Sequence, residues 1–235
     1  MNFESITKML PKVCQFCTTP IHPPRQISLD YTNPKLKAAG TLIYAINPQD
    51  KKTYVLLAKE RVWEGPNSDK WKSFGGKQDP GETLIETALR ETKEESRGLI
   101  DIKKDQIPFD QLIAVEHYQC KYLQLTLRVE YDHSINARFQ GALFEDKHFM
   151  EKTEVRWVPL DELNHAVQRA DELAKATNTR PFHQDVDIQY NGETFSIGHD
   201  FIETMTILHR EAPEVLKTLH RGSNLLISDK DWTTN

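Results

Sequence analysis

Glu91, Glu94 and Glu95 stand at i, i+3 and i+4, so on a helix their side chains leave the backbone as one patch. Glu82 and Glu86 precede them, which concentrates negative charge in a segment that also carries regularly spaced apolar residues. Like charges at this spacing repel, by a few tenths of a kcal/mol each when exposed and by more when half-buried. A divalent cation removes the conflict. Oxygen-only donors suit a hard ion such as Mg²⁺ or Mn²⁺, which keeps several waters and takes further ligands from substrate phosphates. The competing reading is a solvated acidic face with i, i+4 partners such as Glu86 and Arg90.

The element that must position these groups is a helix. Leu84, Ala88 and Thr92 recur every four residues and Ile85 and Leu89 widen the stripe, so an amphipathic helix is predicted from Thr83 to Arg97. Thr83 and Glu86 form a capping box at its start. Upstream, Trp71 to Phe74 reads as a short strand that delivers the chain into Gly75 and Gly76, where small residues allow a tight turn and a close backbone approach to the site. Pro80 and Gly81 then turn the chain into the helix.

These residues resemble the Nudix hydrolase signature, G-x5-E-x7-R-E-U-x-E-E-x-G-U with U aliphatic. Gly76, Glu82, Arg90, Glu91, Glu94 and Glu95 match it position for position. Thr92 stands at an aliphatic position, and Arg97 at the glycine position with Gly98 one step later, which predicts a helix stop displaced by one residue. The resemblance covers about Gly40 to Ala176. It implies an α/β fold, an α/β/α sandwich with a mixed sheet lying between the glutamate helix and a second helix over Asp161 to Ala176. It also implies hydrolysis of a pyrophosphate bond in a nucleoside diphosphate linked to another moiety, such as an NDP-sugar, ADP-ribose or a dinucleotide. The metal ligands it implies are the Gly75 carbonyl, Glu91, Glu94 and Glu95, with Mg²⁺ or Mn²⁺ as cofactor. Arg90 would fix a neighbouring glutamate, and the base would be Glu94 or a carboxylate of the later loop, Glu151 or Glu154. Arg61, Lys77 and Arg128 are the candidate substrate cations, with Glu130 beside Arg128. Two other functions stay open: a silent nucleotide- or protein-binding module, and an RNA cap or 5′-end hydrolase.

The rest of the chain frames that domain. Residues 1–39 read as a proline-rich N-terminal arm, 40–178 as the domain and 179–235 as a C-terminal extension packed on it. Cys14 and Cys17 with His22 fall short of the four ligands of a structural zinc site, so they read as two thiols packed in the arm. Thr41 to Ile46 and Thr53 to Lys59 form a hairpin, and Arg61 to Lys70 a polar loop with Trp63, Gly65 and Pro66. Gln111 to His117 and Tyr122 to Tyr131 are strands, the second with Leu123, Leu125 and Leu127 on its core face and a wetter opposite face. Residues 132–150 read as a long loop and Val155 to Val158 as a strand. In the extension, Val186 to Ile197 is a hairpin turning at Asn191 and Gly192, Asp200 with Glu203 caps a helix, and Pro213 starts another that Gly222 ends. His209 and His220 read as solvated.

A net charge of -5 over 235 residues argues against a general electrostatic grip on nucleic acid, leaving it only as a capped or 5′-end substrate. The absence of any long apolar run argues against a membrane partner, and the three cysteines suit a reducing, cytoplasmic setting. A nucleotide-derived small molecule is the expected partner, and a homodimer is compatible with the sequence.

Overall fold

The computed structural model describes residues 26–62, 68–108, 110, 112–117, 120–142, 150–177, 185–217, 219 and 225–228. Cys14, Cys17, His22, Trp63, Gly65, Pro66, His220 and Gly222 lie outside the described residues. The centre is a mixed sheet. Strands β1 (Ala38–Ile46) and β2 (Thr53–Glu60) form the expected hairpin, and β1 pairs in parallel with β6 (Tyr122–Arg128), which pairs antiparallel with β5 (Ile113–His117). The two hairpin strands splay: β2 pairs with β1 only at Thr53 to Leu56, and its far half pairs with β3 (Trp71–Lys72). The edge of β1 freed in this way pairs over Ala38 to Thr41 with β4 (Phe74–Lys77). The two glycines are thereby inserted into the sheet beside the start of β1. On the other edge of β2 runs β7 (Lys152–Pro159), with a register irregularity between Lys59 and Glu60.

Alternation along β1 assigns the two faces. Ile43 and Ala45 point into a core shared with Leu84, Ile85, Ala88 and Leu89 of helix α1 (Leu84–Glu95). Phe139 of α2 (Ile135–Gly141) joins the same core, so the segment read as a continuous loop holds a helix. Leu42 and Tyr44 point the other way, toward Leu163, Ala166 and Val167 of α3 (Leu160–Thr177) and Phe201, Ile202 and Met205 of α4 (His199–Glu211). The predicted sandwich is therefore present, with α1 on one face and α3 on the other.

The extension completes the second face. β8 (Val186–Tyr190) and β9 (Glu193–Ile197) form the predicted hairpin, which joins the main sheet through the parallel pair Trp71 and Ile197. A short helix α5 (Pro213–Leu216) follows, and β10 (Leu225–Ser228), not foreseen in the sequence, pairs in parallel with β5. Because α4 covers this face, Gln124 and Thr126 are buried, and the outward face of β6 is not the wet one expected. Helix α4 is capped by Gly198 without a side-chain bond, since Asp200 is engaged by His199 at 3.0 Å.

Candidate active site

The glycines are required by neighbours in the sheet. A Cβ at Gly75, whose φ is 153°, would meet the Tyr122 hydroxyl at 2.0 Å and Gly40 Cα at 2.7 Å. A Cβ at Gly76 would meet Glu91 Oε1 at 2.4 Å, so the Glu91 carboxylate lies directly on the backbone of that residue. The lack of side chains thus brings β4 and the helix together, and it is Glu91 and Tyr122 that fill the space.

Helix α1 starts as predicted. Thr83 Oγ1 accepts from the Glu86 amide at 3.2 Å, and Glu86 Oε2 accepts from the Thr83 amide at 2.8 Å. This capping box commits Glu86, which pairs further with Lys104 and not with Arg90. Arg90 gathers the remaining acids: Nε donates to Glu82 Oε1 at 2.7 Å, and Nη1 to Glu91 Oε1 at 2.9 Å and Glu94 Oε2 at 3.0 Å. Its Nη2 donates to the Lys77 carbonyl, tying the helix to β4. The hydrogen bond to Glu82 leads the contacts that hold the guanidinium pKa above its usual range, while burial works against them.

Glu95 faces inward and is 2 % exposed. Its Oε2 accepts from the Gly75 amide at 2.7 Å and its Oε1 pairs with Lys152 Nζ at 2.7 Å. Lys152 is wholly buried at the start of β7 and also pairs with Glu60, which pairs with Lys72 at 2.7 Å. Burial alone would lower the lysine pKa, but Glu95 and Glu60 outweigh it and hold the ammonium charged. Burial pushes the Glu95 carboxyl up, with Lys152 as the main opposing charge.

The helix end departs from expectation. The amide of Gly98 donates to the Lys93 carbonyl at 2.7 Å and that of Arg97 to the Glu94 carbonyl at 3.0 Å, which is a Schellman pair with Arg97 at the left-handed position. Arg97 takes φ 57° itself, so the stop is not displaced to Gly98. A side chain is tolerated there because it is anchored: Nη1 and Nη2 donate to the carbonyls of Phe139 and Lys152, and the guanidinium lies 4.0 Å over the Phe139 ring.

The other nominated residues are dispersed. Glu154 is bonded to Arg156, which reaches Glu193 of the β8–β9 hairpin, so this carboxylate is held away from the helix glutamates. Glu151 is exposed, and its carbonyl accepts from the Arg61 amide. Arg61 is half-buried with its Nε lacking a protein partner among the described residues. Lys77, Arg128 and Glu130 are exposed. Sequence reasoning missed Lys152, Glu60 and Tyr122. Lys152 sits between the two glutamates singled out, but a lone lysine at a strand start carries no signal that it is buried.

The donor set fits a hard divalent cation in its chemistry. Glu91 is pushed up to about 7, first by burial and then by the charge of Glu95, so the patch is short of positive charge even with Arg90 bonded to it. Among the described residues no three acidic, imidazole or thiol side chains converge on one point, because Arg90 holds Glu94 and Lys152 holds Glu95. The Gly75 carbonyl, Glu91, Glu94 and Glu95 are the groups the resemblance names for holding such an ion, and of these Glu95 is already paired with Lys152.

A family model described as the NUDIX domain matches residues 36–179, more than half of the chain. None of the curated proteins matches the chain in sequence. Solved structures with a similar fold include a MutT/nudix family protein from Enterococcus faecalis, 17 % identical over 81 % of this chain and 65 % of that one, with a TM-score of 0.45. The chain thus spans less than two thirds of that protein's length. A C. elegans Ap4A hydrolase binary complex is 27 % identical over 60 % of this chain and 91 % of its own, TM-score 0.35. The NUDIX domain of Shewanella oneidensis NrtR, complexed with ADP ribose, is 16 % identical over 80 % of this chain and 96 % of its own, TM-score 0.37.

Proposed function

The chain belongs to the NUDIX-domain family of hydrolases, and from that premise we propose that it is a Mg²⁺- or Mn²⁺-dependent enzyme. Its substrate is a nucleoside diphosphate linked to another moiety, cleaved at the pyrophosphate bond. The observation that carries this reading is the seating of Glu91 on the Gly76 backbone and of Glu95 on the Gly75 amide, with Arg90 holding Glu82, Glu91 and Glu94 together. A bound divalent ion supplies neutralisation of the diphosphate oxygens and a lower pKa for the attacking water.

The chain's own residues do the positioning. Arg90 fixes the rotamers of the glutamates from one side, and the Lys152 pair holds Glu95 against the Gly75 amide from the other. Glu94 is our assignment for the base that takes the proton of the attacking water. It stands beside Glu91 in the helix patch, both bonded to Arg90, whereas Glu154 pairs with Arg156, which reaches the β8–β9 hairpin. Residues 40–178 make up the hydrolase domain and 179–235 an extension that walls it, in a cytoplasmic protein.

A second reading, a binding module without turnover, draws on Lys152, which satisfies Glu95 without any added cation. A screen of nucleoside diphosphate sugars, dinucleoside polyphosphates and capped RNA with Mg²⁺ or Mn²⁺, products identified by mass, separates the two. Cleavage between phosphates is the expected result, and binding of any of these with no product at all would favour the module.

A further inference from the structure

The pairing of β7 with β2 slips by one residue where the two strands pass beneath the end of the glutamate helix. Lys59 lies opposite Glu154 but Glu60 lies opposite Lys152, so Thr153 is an extra residue in β7. Val155 and Trp157 point into the core shared with α1, and plain alternation would give that face to Thr153. The bulge hands it to Lys152 instead. Leu56 and Ala58 assign the same face of β2 to Glu60, and Glu95 meets both from α1. The Thr153 hydroxyl donates to the Lys59 carbonyl at 3.3 Å, within the bulge itself.

The result is one buried cation between two carboxylates. Lys152 Nζ pairs with Glu60 Oε1 and, at 2.7 Å, with Glu95 Oε1, while Glu95 Oε2 accepts from the Gly75 amide at 2.7 Å. Each oxygen of Glu95 is thus engaged, and its side chain is only 3 % exposed, which leaves no open side for an ion that keeps its waters. Lys72 lies 2.7 Å from Glu60, so two basic side chains face two acidic ones and the inner cluster has no formal charge left over. The outer carboxylates differ on both counts. Glu82, Glu91 and Glu94 share the Arg90 guanidinium, with Asp79 3.7 Å from it, and the side chains of Glu91 and Glu94 are 14 % and 23 % exposed. Surplus negative charge and access coincide on this side. Two carboxylates converging on one centre are also what a hard divalent ion takes from a protein, so ammonium and ion compete for the inner position.

We propose that Lys152 stands in for a divalent ion on Glu95: its ammonium fills an inner cation position between Glu60 and Glu95, and Glu95 is therefore not a metal ligand in this chain. The ion is left to Glu91, Glu94 and the Gly75 carbonyl, and Glu95 serves that site through its charge and by holding the Gly75 peptide. The inference rests on the metal-dependent reading for the outer ion, but not for the inner position.

The test counts Mn²⁺ bound in the absence of nucleotide, from the paramagnetic signal of the free ion, on full-length wild type, Lys152→Ala, and Lys152→Ala combined with Glu95→Gln. Wild type is expected to hold one ion tightly, Lys152→Ala two, and the double variant one again. Lys152→Ala is expected to melt below wild type without metal and to be raised by Mn²⁺ more than wild type is, because the ion replaces the lost charge. A Lys152→Ala protein that folds only with Mn²⁺ present, as read by circular dichroism, supports the assignment, and one that stays unfolded at saturating Mn²⁺ overturns it. One ion on both wild type and Lys152→Ala overturns it, and so do two tight ions on wild type, a result that needs no variant. The outer site fails separately: wild type that binds no Mn²⁺, with Lys152→Ala binding one that the double variant loses, refutes the metal reading of the outer patch and leaves the inner position standing.

Discussion

Lys152 Nζ lies 2.7 Å from Glu95 Oε1, joining the first residue of β7 to the last residue of α1 inside the protein. The same ammonium reaches Glu60 on β2, so one buried cation ties the glutamate helix to two strands. Lys152→Met strips both carboxylates of that charge, and breaking a buried pair from one side costs on the order of 3–5 kcal/mol. The double variant Lys152→Met with Glu95→Gln should recover part of the loss, since Glu60 keeps Lys72. Urea denaturation of the single and double variants measures both. A single variant as stable as the wild type would place the ammonium elsewhere.

Glu91 is one of the groups through which the metal-free protein responds to pH. Its carboxyl is pushed up to about 7 in the folded state, against the ordinary 4.5. Between these values the folded Glu91 binds more protons than it does in the unfolded chain, so its contribution to stability falls as pH rises from about 4.5 through about 7 and is level above. His199, raised chiefly by its hydrogen bond to Asp200, contributes in the same sense, so the informative quantity is the difference between wild type and Glu91→Gln. The variant should be about 1–3 kcal/mol the more stable at pH 8 and lose most of that advantage by pH 5. Melting curves at the two pH values check it, and a difference that does not change with pH rules it out.

The strands, the hairpins and the helix carrying the glutamates were legible because each rests on local signals: the four-residue stripe of Leu84, Ala88 and Thr92, the Thr83–Glu86 box, and the alternation in Leu123, Leu125 and Leu127. The family resemblance supplied the roles. What was not legible depends on distant partners. Nothing near Lys152 in sequence announces Glu95 and Glu60. The burial of Gln124 is imposed by α4, some eighty residues later, and β10 is a strand because the edge of β5 is there to receive it. Glu154 sits on a strand, where alternation aims it toward Arg156 and the hairpin; a loop reading could not supply that direction.

Arg97 reports how the helix end is held. Its left-handed backbone costs an arginine roughly 1–2 kcal/mol that a glycine does not bear, while two hydrogen bonds and the stack on Phe139 offset the cost. Arg97→Ala loses the anchors and keeps the strain, whereas Arg97→Gly loses both. Arg97→Ala should therefore be the less stable of the two by about 1 kcal/mol, with both below wild type. Hydrolysis by Arg97→Gly should stay within a few-fold of wild type, because no carboxylate of the patch touches this side chain among the described residues. Chemical denaturation of the three proteins tests the order, and equal stability of the alanine and glycine variants would argue against the strained conformation.

Glu91→Gln and Glu95→Gln should both abolish hydrolysis yet move metal-free stability in opposite directions. Glutamine keeps the shape and one oxygen but loses the charge that draws a divalent ion, so each variant loses a contributor to the patch. At Glu91 the charge is a burden, placed against Glu95 in a half-buried site, and removing it relieves the protein. At Glu95 burial also works against the charge, but Lys152 opposes it, and removing the carboxylate leaves that buried ammonium with Glu60 as its remaining carboxylate. Metal-free Glu91→Gln should thus melt above wild type at pH 8 and Glu95→Gln below it. Added Mg²⁺ should raise the wild type by binding its folded state and shift either variant much less. Melting curves with and without Mg²⁺, beside a hydrolysis assay that identifies the two phosphorylated products by mass, test both variants. Wild-type turnover by Glu95→Gln together with an unchanged Mg²⁺ shift would move the reaction away from this helix.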